Sequence, residues 1–176
     1  MEKSLKSIST NYGVYLGVSL AAVSIIVYAV MIDLFTEWWL GILLFVLIIG
    51  FGTAAGIKSR TLKGGFISFK EAFTAYFITI ALGTFISTVV GIIIFGFIDP
   101  EAGAYLDEKI ITMTRETMEN WGAPQDSINE TMTQMEGQDS FSTVAQIKSY
   151  FSRLLILSVL GLIVAVIVKR KDPNEA

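Results

Sequence analysis

The chain has 176 residues, a mean hydropathy of +0.62, 53% hydrophobic residues and only 16% charged residues, whereas soluble domains carry about 25% charged residues. Cysteine and histidine are both absent, which excludes disulfides, thiolate nucleophiles, imidazole bases and the commonest zinc ligands. The net charge of −3 conceals an uneven distribution along the chain, and that distribution is the more informative property.

Four apolar stretches are candidates for membrane-spanning helices, since about 20 residues cross a hydrocarbon layer of roughly 30 Å. The first three occupy residues 12–32, 38–57 and 72–98. The fourth, 150–168, contains Arg153, whose long side chain can place its guanidinium among the lipid headgroups. The helix therefore extends back towards Gln146. The sequence predicts an all-α fold, an integral membrane four-helix bundle.

Basic and acidic residues alternate between the segments that flank these spans. The N-terminal segment, the second loop and the C-terminal segment together hold 9 basic and 4 acidic residues, whereas the first loop and residues 99–153 hold 4 basic and 12 acidic residues. The positive-inside rule then predicts that both termini are cytoplasmic and that an acidic insert at 99–146 is extracytoplasmic. We expect a multi-pass membrane protein.

Small residues recur every four positions on the predicted spans, a spacing that lets helix backbones approach closely in lipid. Packing within one bundle is the first interpretation, and a dimer interface on one stripe is the alternative. The apolar cores carry no acidic residue or lysine, which argues against proton-coupled transport but leaves a passive pore open. The candidate packing positions are Gly13, Gly17, Gly52, Gly56, Gly83, Ser87, Gly91 and Gly161.

The loop before the third span ends in a motif that starts helices. Ser68 followed three residues later by Glu71 fits a capping box, in which each side chain satisfies a backbone N–H of the other residue. The third helix is therefore expected to begin at about Phe69. Phe69 and Lys70 would then lie at the headgroup boundary. A loop that binds lipid or a protein partner is the alternative interpretation.

Two short elements carry a resemblance to a known family. The 65–73 segment reads Gly-Phe-Ile-Ser-Phe-Lys-Glu-Ala-Phe, and the third span is followed by Ile98-Asp99-Pro100-Glu101. With the overall layout, these elements resemble the domain-of-unknown-function family 4199. The resemblance implies a small bacterial membrane protein with four spans and a helical insert before the last span. It implies no catalytic or binding residues.

The insert is predicted to form a helical hairpin. Asp99 and Pro100 suit the cap and first turn of a helix. A break follows at residues 121–124, and a shorter helix comes next. Two short amphipathic helices cannot bury their apolar faces alone, so a cap on the bundle is expected, with a partner-binding arm as the alternative. The apolar positions are Leu106, Ile110, Met113, Thr117 and Trp121 on the first helix and Ile128, Met132 and Met135 on the second.

No pattern in the sequence points to a catalytic constellation, a cofactor or a metal site. The acidic residues of the insert, such as Asp107 and Glu108, fit solvated helix faces better than a cation site or an acid–base pair. The leading hypothesis is a non-enzymatic accessory or scaffold protein that acts through helix packing and its insert. The alternatives are a small passive channel or carrier and a membrane enzyme acting on lipid. Expected partners are membrane lipid and either another protein or a second copy, not nucleic acid.

Overall fold

A computed structural model describes residues 4–171, so the predictions that involve Glu2, Lys3, Asp172 and Glu175 lie outside the described residues. Within this range the chain is helical throughout its main elements. A 3-10 turn at Ile32–Thr36 connects the first two helices, and a π-helical turn at Ile94–Ile98 continues the third. The six helices are α1 (Leu5–Val30), α2 (Trp38–Leu62), α3 (Phe69–Ile93), α4 (Pro100–Asn120), α5 (Gln125–Glu136) and α6 (Thr143–Val168).

Four of these elements are long and apolar enough to cross a membrane by length and composition: α1, α2, α3 with its π-helical turn, and α6, with 26, 25, 30 and 26 residues. The predicted spans lie inside these helices except at residues 31 and 32, which follow α1. The helices are longer because backbone hydrogen bonding continues into polar segments; α1 already begins at Leu5 and α6 at Thr143. A 26-residue helix is about 39 Å long, which exceeds the hydrocarbon thickness.

Helix α3 occupies the centre of the bundle. It packs against α1, α2 and α6, while α2 also contacts α1 and α6. Its Tyr76 and Ile80 side chains form one core cluster with Leu16 and Leu20 of α1 and with Leu157 of α6. The bundle is therefore organised around the third helix.

Several hydroxyl groups within the spans donate to backbone carbonyls, whereas the buried hydroxyls of Tyr76 and Ser59 have no hydrogen-bond partner among the described residues. Thr84 and Ser158 donate to the carbonyls four residues earlier, Ile80 at 2.7 Å and Leu154 at 2.6 Å. Buried Thr79 lies within hydrogen-bond distance of two carbonyls, its own Ala75 at 2.8 Å and Ser9 of α1 at 3.1 Å. These bonds offset the cost of burying a hydroxyl. The bond from Thr79 to the Ser9 carbonyl also links α3 to α1.

The outer faces of the four spans are apolar and exposed. Large side chains such as Val30, Leu155 and Ile167 are more than two-thirds exposed. A surface of this kind and extent is unfavourable in water and is expected of helices that face lipid.

Candidate functional site

The base of the insert is anchored on one end of the bundle by an aromatic cluster. Phe95, in the π-helical turn, lies edge-on to three rings: Tyr28 at 6.3 Å, Phe35 at 5.7 Å and Phe141 at 4.9 Å between centroids. Leu106 of α4 is fully buried in the same cluster. The cluster joins α1, the 3-10 turn, α3, α4 and the segment before α6.

Asp99, between the third span and the insert, makes two side-chain contacts that hold α4 in place. One carboxylate oxygen accepts a hydrogen bond from the Ala102 N–H at 2.9 Å and so caps α4, with Pro100 in its first turn. The other oxygen accepts a hydrogen bond from the Tyr28 hydroxyl of α1 at 3.0 Å. The cap was predicted from the sequence, but the link to Tyr28 was not.

A second polar contact holds α4 to the loop between the first two spans. Asp33 accepts hydrogen bonds from the Lys109 ammonium at 2.6 Å and from the Tyr105 hydroxyl at 2.7 Å. We call Asp33, Tyr105 and Lys109 the latch. The hydrogen bond from Lys109 lowers the pKa of Asp33 and raises the pKa of Lys109, while the bond to Asp33 raises the pKa of Tyr105. The latch therefore favours the charged forms of both ions.

Sequence patterns do not predict the latch because its members are far apart in the chain. Tyr105 and Lys109 follow Asp33 by 72 and 76 positions. One local signal was available: Lys109 is the first base in an otherwise acidic stretch, and it lies four residues after Tyr105 on the same side of α4. That spacing marks a face but does not identify its partner.

The two helices of the insert differ in how well their apolar faces are covered. Ile128 and Met132 of α5 are buried, and α5 packs against α4. On the predicted apolar face of α4, Leu106 is buried but Met113 is 41% and Trp121 is 84% exposed. The expected cap on the bundle therefore covers only the base of α4.

The uncovered part of α4 forms one wall of an apolar groove, which we call the α4 groove. Its volume is about 480 Å³, and the 3-10 turn forms the opposite wall. It is lined by Phe35, Thr36, Ile110, Met113, Thr114, Thr117, Met118 and Trp121.

A larger cavity, about 1000 Å³, lies on another side of α4, between the insert and the beginning of α6. It is lined by several carboxylates, but Asp107 accepts a hydrogen bond from the Ser140 N–H at 3.0 Å, and Glu136 lies 3.9 Å from Arg115. Within residues 4–171, no three acidic, cysteine or histidine residues are grouped so that they could hold a metal ion. Two of these carboxylates, Asp107 and Glu136, therefore contact other parts of the insert.

The small residues singled out in the sequence lie mainly at helix–helix contacts within the chain. A methyl group built on Gly83 would lie 2.6 Å from Leu16, and one on Gly17 would lie 2.7 Å from Ile86. The same is true of Gly13 against Leu82, Gly52 and Gly161 against Tyr76, Gly56 against Val168 and Gly91 against Gln146, while Ser87 is half-buried on α3.

The capping residues lie at the opposite end of the bundle from the insert. Ser68 accepts a hydrogen bond from the Glu71 N–H at 3.3 Å, and Glu71 accepts one from the Ser68 N–H at 3.1 Å, which together make the capping box of α3. Glu71 also accepts a 2.6 Å hydrogen bond from Lys63. Phe69 and Lys70 are exposed, and the Phe69 ring stacks on Phe73 at 6.4 Å.

The family model described as "Protein of unknown function (DUF4199)" matches residues 11–170. No curated protein and no solved structure matches the chain significantly.

Proposed function

Because the chain belongs to the DUF4199 family of proteins of unknown function, we propose from its own geometry that it is a non-enzymatic membrane accessory or scaffold protein. The bundle would anchor the protein in the membrane, and the insert would present the α4 groove to a protein partner. The observation that supports this proposal is the uncovered apolar face of α4, a well-formed helix whose base is firmly anchored.

An exposed apolar groove with a polar surround is typical of a surface that another molecule covers. The anchoring of α4 strengthens this argument. The aromatic cluster and the latch hold the groove in one position, so little conformational entropy is lost when a partner binds. Methionine side chains, here Met113 and Met118, adapt easily to the shape of an apolar partner.

The orientation we propose has both termini in the cytoplasm and the insert outside, in a bacterial cytoplasmic membrane. Three basic segments meet at one end of the bundle. The Ile67 and Arg170 backbones exchange hydrogen bonds of 2.9 Å, and Arg60 donates to the Val168 carbonyl at 3.3 Å. Lys6 and Lys70 line one groove there. The acidic insert is at the other end, so the positive-inside rule favours this orientation.

The orientation can be tested with single cysteines, since the natural chain has none. Glu130→Cys on α5 should react with a membrane-impermeant maleimide in cells whose outer membrane is permeabilised. Thr61→Cys at the end of α2 should react only after the inner membrane is opened. The reverse pattern would contradict the proposed orientation.

The two alternative functions receive less support from the geometry. A passive channel through one chain would need a path along the bundle, but the Tyr76 ring fills the centre, between Gly52 and Gly161. A lipid-modifying enzyme would need a reactive group at an interface, and the cavity carboxylates Asp107 and Glu136 contact a backbone N–H and an arginine. Non-enzymatic binding remains the proposal with the strongest support.

The decisive experiment is native mass spectrometry of the protein extracted gently from its host membrane. We expect a complex heavier than the 19.3 kDa chain by the mass of another protein. Met113→Glu places a charge in the α4 groove at an exposed position and should release that partner. Asn120→Glu, which adds the same charge outside the groove, should retain it. A bare monomer, or an integral multiple of the chain mass, would contradict the proposal.

A further inference from the structure

A groove lies between the ends of α1 and α3 at the basic end of the bundle. Its volume is about 680 Å³, and it extends from Ser68, at the cap of α3, to Ile78, almost three turns further along. Ten helical residues span about 15 Å, the depth of a headgroup and the upper part of an acyl chain. The deeper part of this groove is lined by the exposed Thr74 and the half-buried Ile78, over the buried Ala75.

The polar end of the same groove is positively charged. Lys6 of α1 and Lys70 of α3 both line it and are exposed, and neither is in an ion pair with another residue in the described range 4–171. Glu71 also lines the groove, but its carboxylate already accepts hydrogen bonds from Lys63 at 2.6 Å and from the Ser68 hydroxyl at 2.9 Å. The acid is thus compensated, and two cations from different helices remain.

We propose that this groove binds one anionic phospholipid, with the phosphate between Lys6 and Lys70 and an acyl chain along Thr74 and Ile78. The proposal holds in either membrane orientation and does not depend on a protein partner for the insert. Lysine ammonium groups at the membrane boundary bind lipid phosphates, and each contributes about 1 kcal/mol to binding at an anionic surface. The apolar wall supplies the contact that a soluble phosphate could not use.

Charge and shape together favour an anionic lipid over a zwitterionic one. Two other cavities lie at this end of the bundle. One runs along α1, is lined by Tyr12 and Tyr15, and contains a single lysine, Lys58. The cavity around Arg170 and Lys171 is more polar and lies beside the capping box, at the headgroup level. Only the groove between Lys6 and Lys70, among these three, combines two cations with a wall that continues towards the membrane interior.

The test is lipid retention measured by native mass spectrometry. Purified protein is titrated in detergent with phosphatidylglycerol, which is anionic, or with phosphatidylcholine, which is zwitterionic. The apparent dissociation constant should be lower for phosphatidylglycerol. Lys6→Gln with Lys70→Gln should weaken phosphatidylglycerol binding roughly fivefold per lysine, or about 25-fold together. The matched control, Lys58→Gln with Lys148→Gln, removes the same charge from elsewhere and should leave binding within about twofold. Equal losses in both double variants would overturn the proposal.

A second pair of measurements tests the apolar wall. Thr74→Trp fills the groove from an exposed position and keeps both lysines, so it should reduce phosphatidylglycerol binding while leaving the thermal unfolding midpoint unchanged. Glycerophosphoglycerol, the same headgroup without acyl chains, should compete only weakly. Competition as strong as that of the intact lipid, or unchanged lipid binding by Thr74→Trp, would show that no lipid chain lies in the groove.

Discussion

In the bundle, the helices interlock through glycines that leave no room for a methyl group, whereas the insert is attached by one aromatic cluster and a few polar contacts at its base. Gly83, Gly52 and Gly161 each lie against a large side chain of a neighbouring helix. In the insert, Trp121 and Met113 line the α4 groove and remain exposed. The bundle has buried its apolar contacts within the chain, while the insert retains an uncovered face. This difference supports the proposal that a protein partner binds at the insert while the bundle anchors the chain in the membrane.

The largest effect is expected from enlarging a glycine in the bundle. Gly161→Leu would drive a side chain into the Tyr76 ring, whose nearest atom is 2.5 Å from the first added carbon. Overpacking costs about 1–3 kcal/mol and more when backbone helices must separate. Thermal unfolding in detergent, followed by circular dichroism, should show a lower midpoint. Gly50→Leu is the matched control, because nothing lies within 4 Å of that position. Equal midpoints for both variants would show that the packing is not tight.

A cavity at the base of the insert should have a comparable local cost, but its effect on the whole molecule should be smaller because it is confined to the insert. Leu106→Ala removes a fully buried side chain from the aromatic cluster, at a cost of about 2–5 kcal/mol. Hydrogen exchange should accelerate in α4 and α5 but not in the bundle. Ile110→Ala, at a position 36% exposed, should change exchange much less. If exchange in α1 and α3 accelerated to the same degree, the insert and the bundle would be one cooperative unit.

Removing the helix cap at the other end of the molecule should have an effect confined to the bundle. Ser68→Ala deletes the hydroxyl that accepts the Glu71 N–H, and loss of such a cap costs about 1 kcal/mol. Hydrogen exchange should accelerate in the first turn of α3 alone. Ser68→Thr, which keeps a capping hydroxyl beside Glu71, should retain protection. Accelerated exchange in the threonine variant would assign the effect to something other than capping.

The smallest effect is expected from the latch, because it is close to solvent. Contact with Lys109 lowers the pKa of Asp33, so this contribution to docking is present above pH 3.8 and is lost as pH falls through the lowered value. The pKa of Lys109 is raised, so its contribution is present below pH 10.5 and is lost as pH rises through the raised value. The docking of α4 on the 3-10 turn should therefore be constant between roughly pH 5 and 9.

Spin labels can measure this docking. Spin labels are attached at Gly41→Cys of α2 and Glu130→Cys of α5. In the protein with an unchanged latch, the distribution of distances between the two labels should broaden below pH 3.8. Asp33→Asn should be broad at all pH values, since it loses the ion pair with Lys109. Glu37→Gln removes a nearby acid that is not in the latch and should retain the narrow distribution. An equally narrow distribution for Asp33→Asn would show that the aromatic cluster alone orients the insert.

The elements whose stabilising contacts are local could be predicted from the order of residues. Ser68 and Glu71 are three residues apart, and Asp99 caps a turn that begins with Pro100, so hydrogen-bonding rules within one helical turn were enough to place both helix starts. The four spans followed from the length of the uncharged stretches, because the hydrocarbon layer imposes a minimum length. The helix ends near Leu5 and Thr143 were less accurately predicted, since helical hydrogen bonding continues outside that layer.

Which apolar surfaces are covered depends on contacts between residues that are far apart in the chain. Tyr76 lies between Gly52 and Gly161, and Asp33 meets Lys109 across 76 positions, because the helices cross at angles and depths that no local pattern encodes. The apolar periodicity of α4 looked the same from Leu106 to Trp121, yet its first part is buried and its last part is not. A repeating pattern defines a face of a helix, but the cover of that face depends on where the neighbouring helices end.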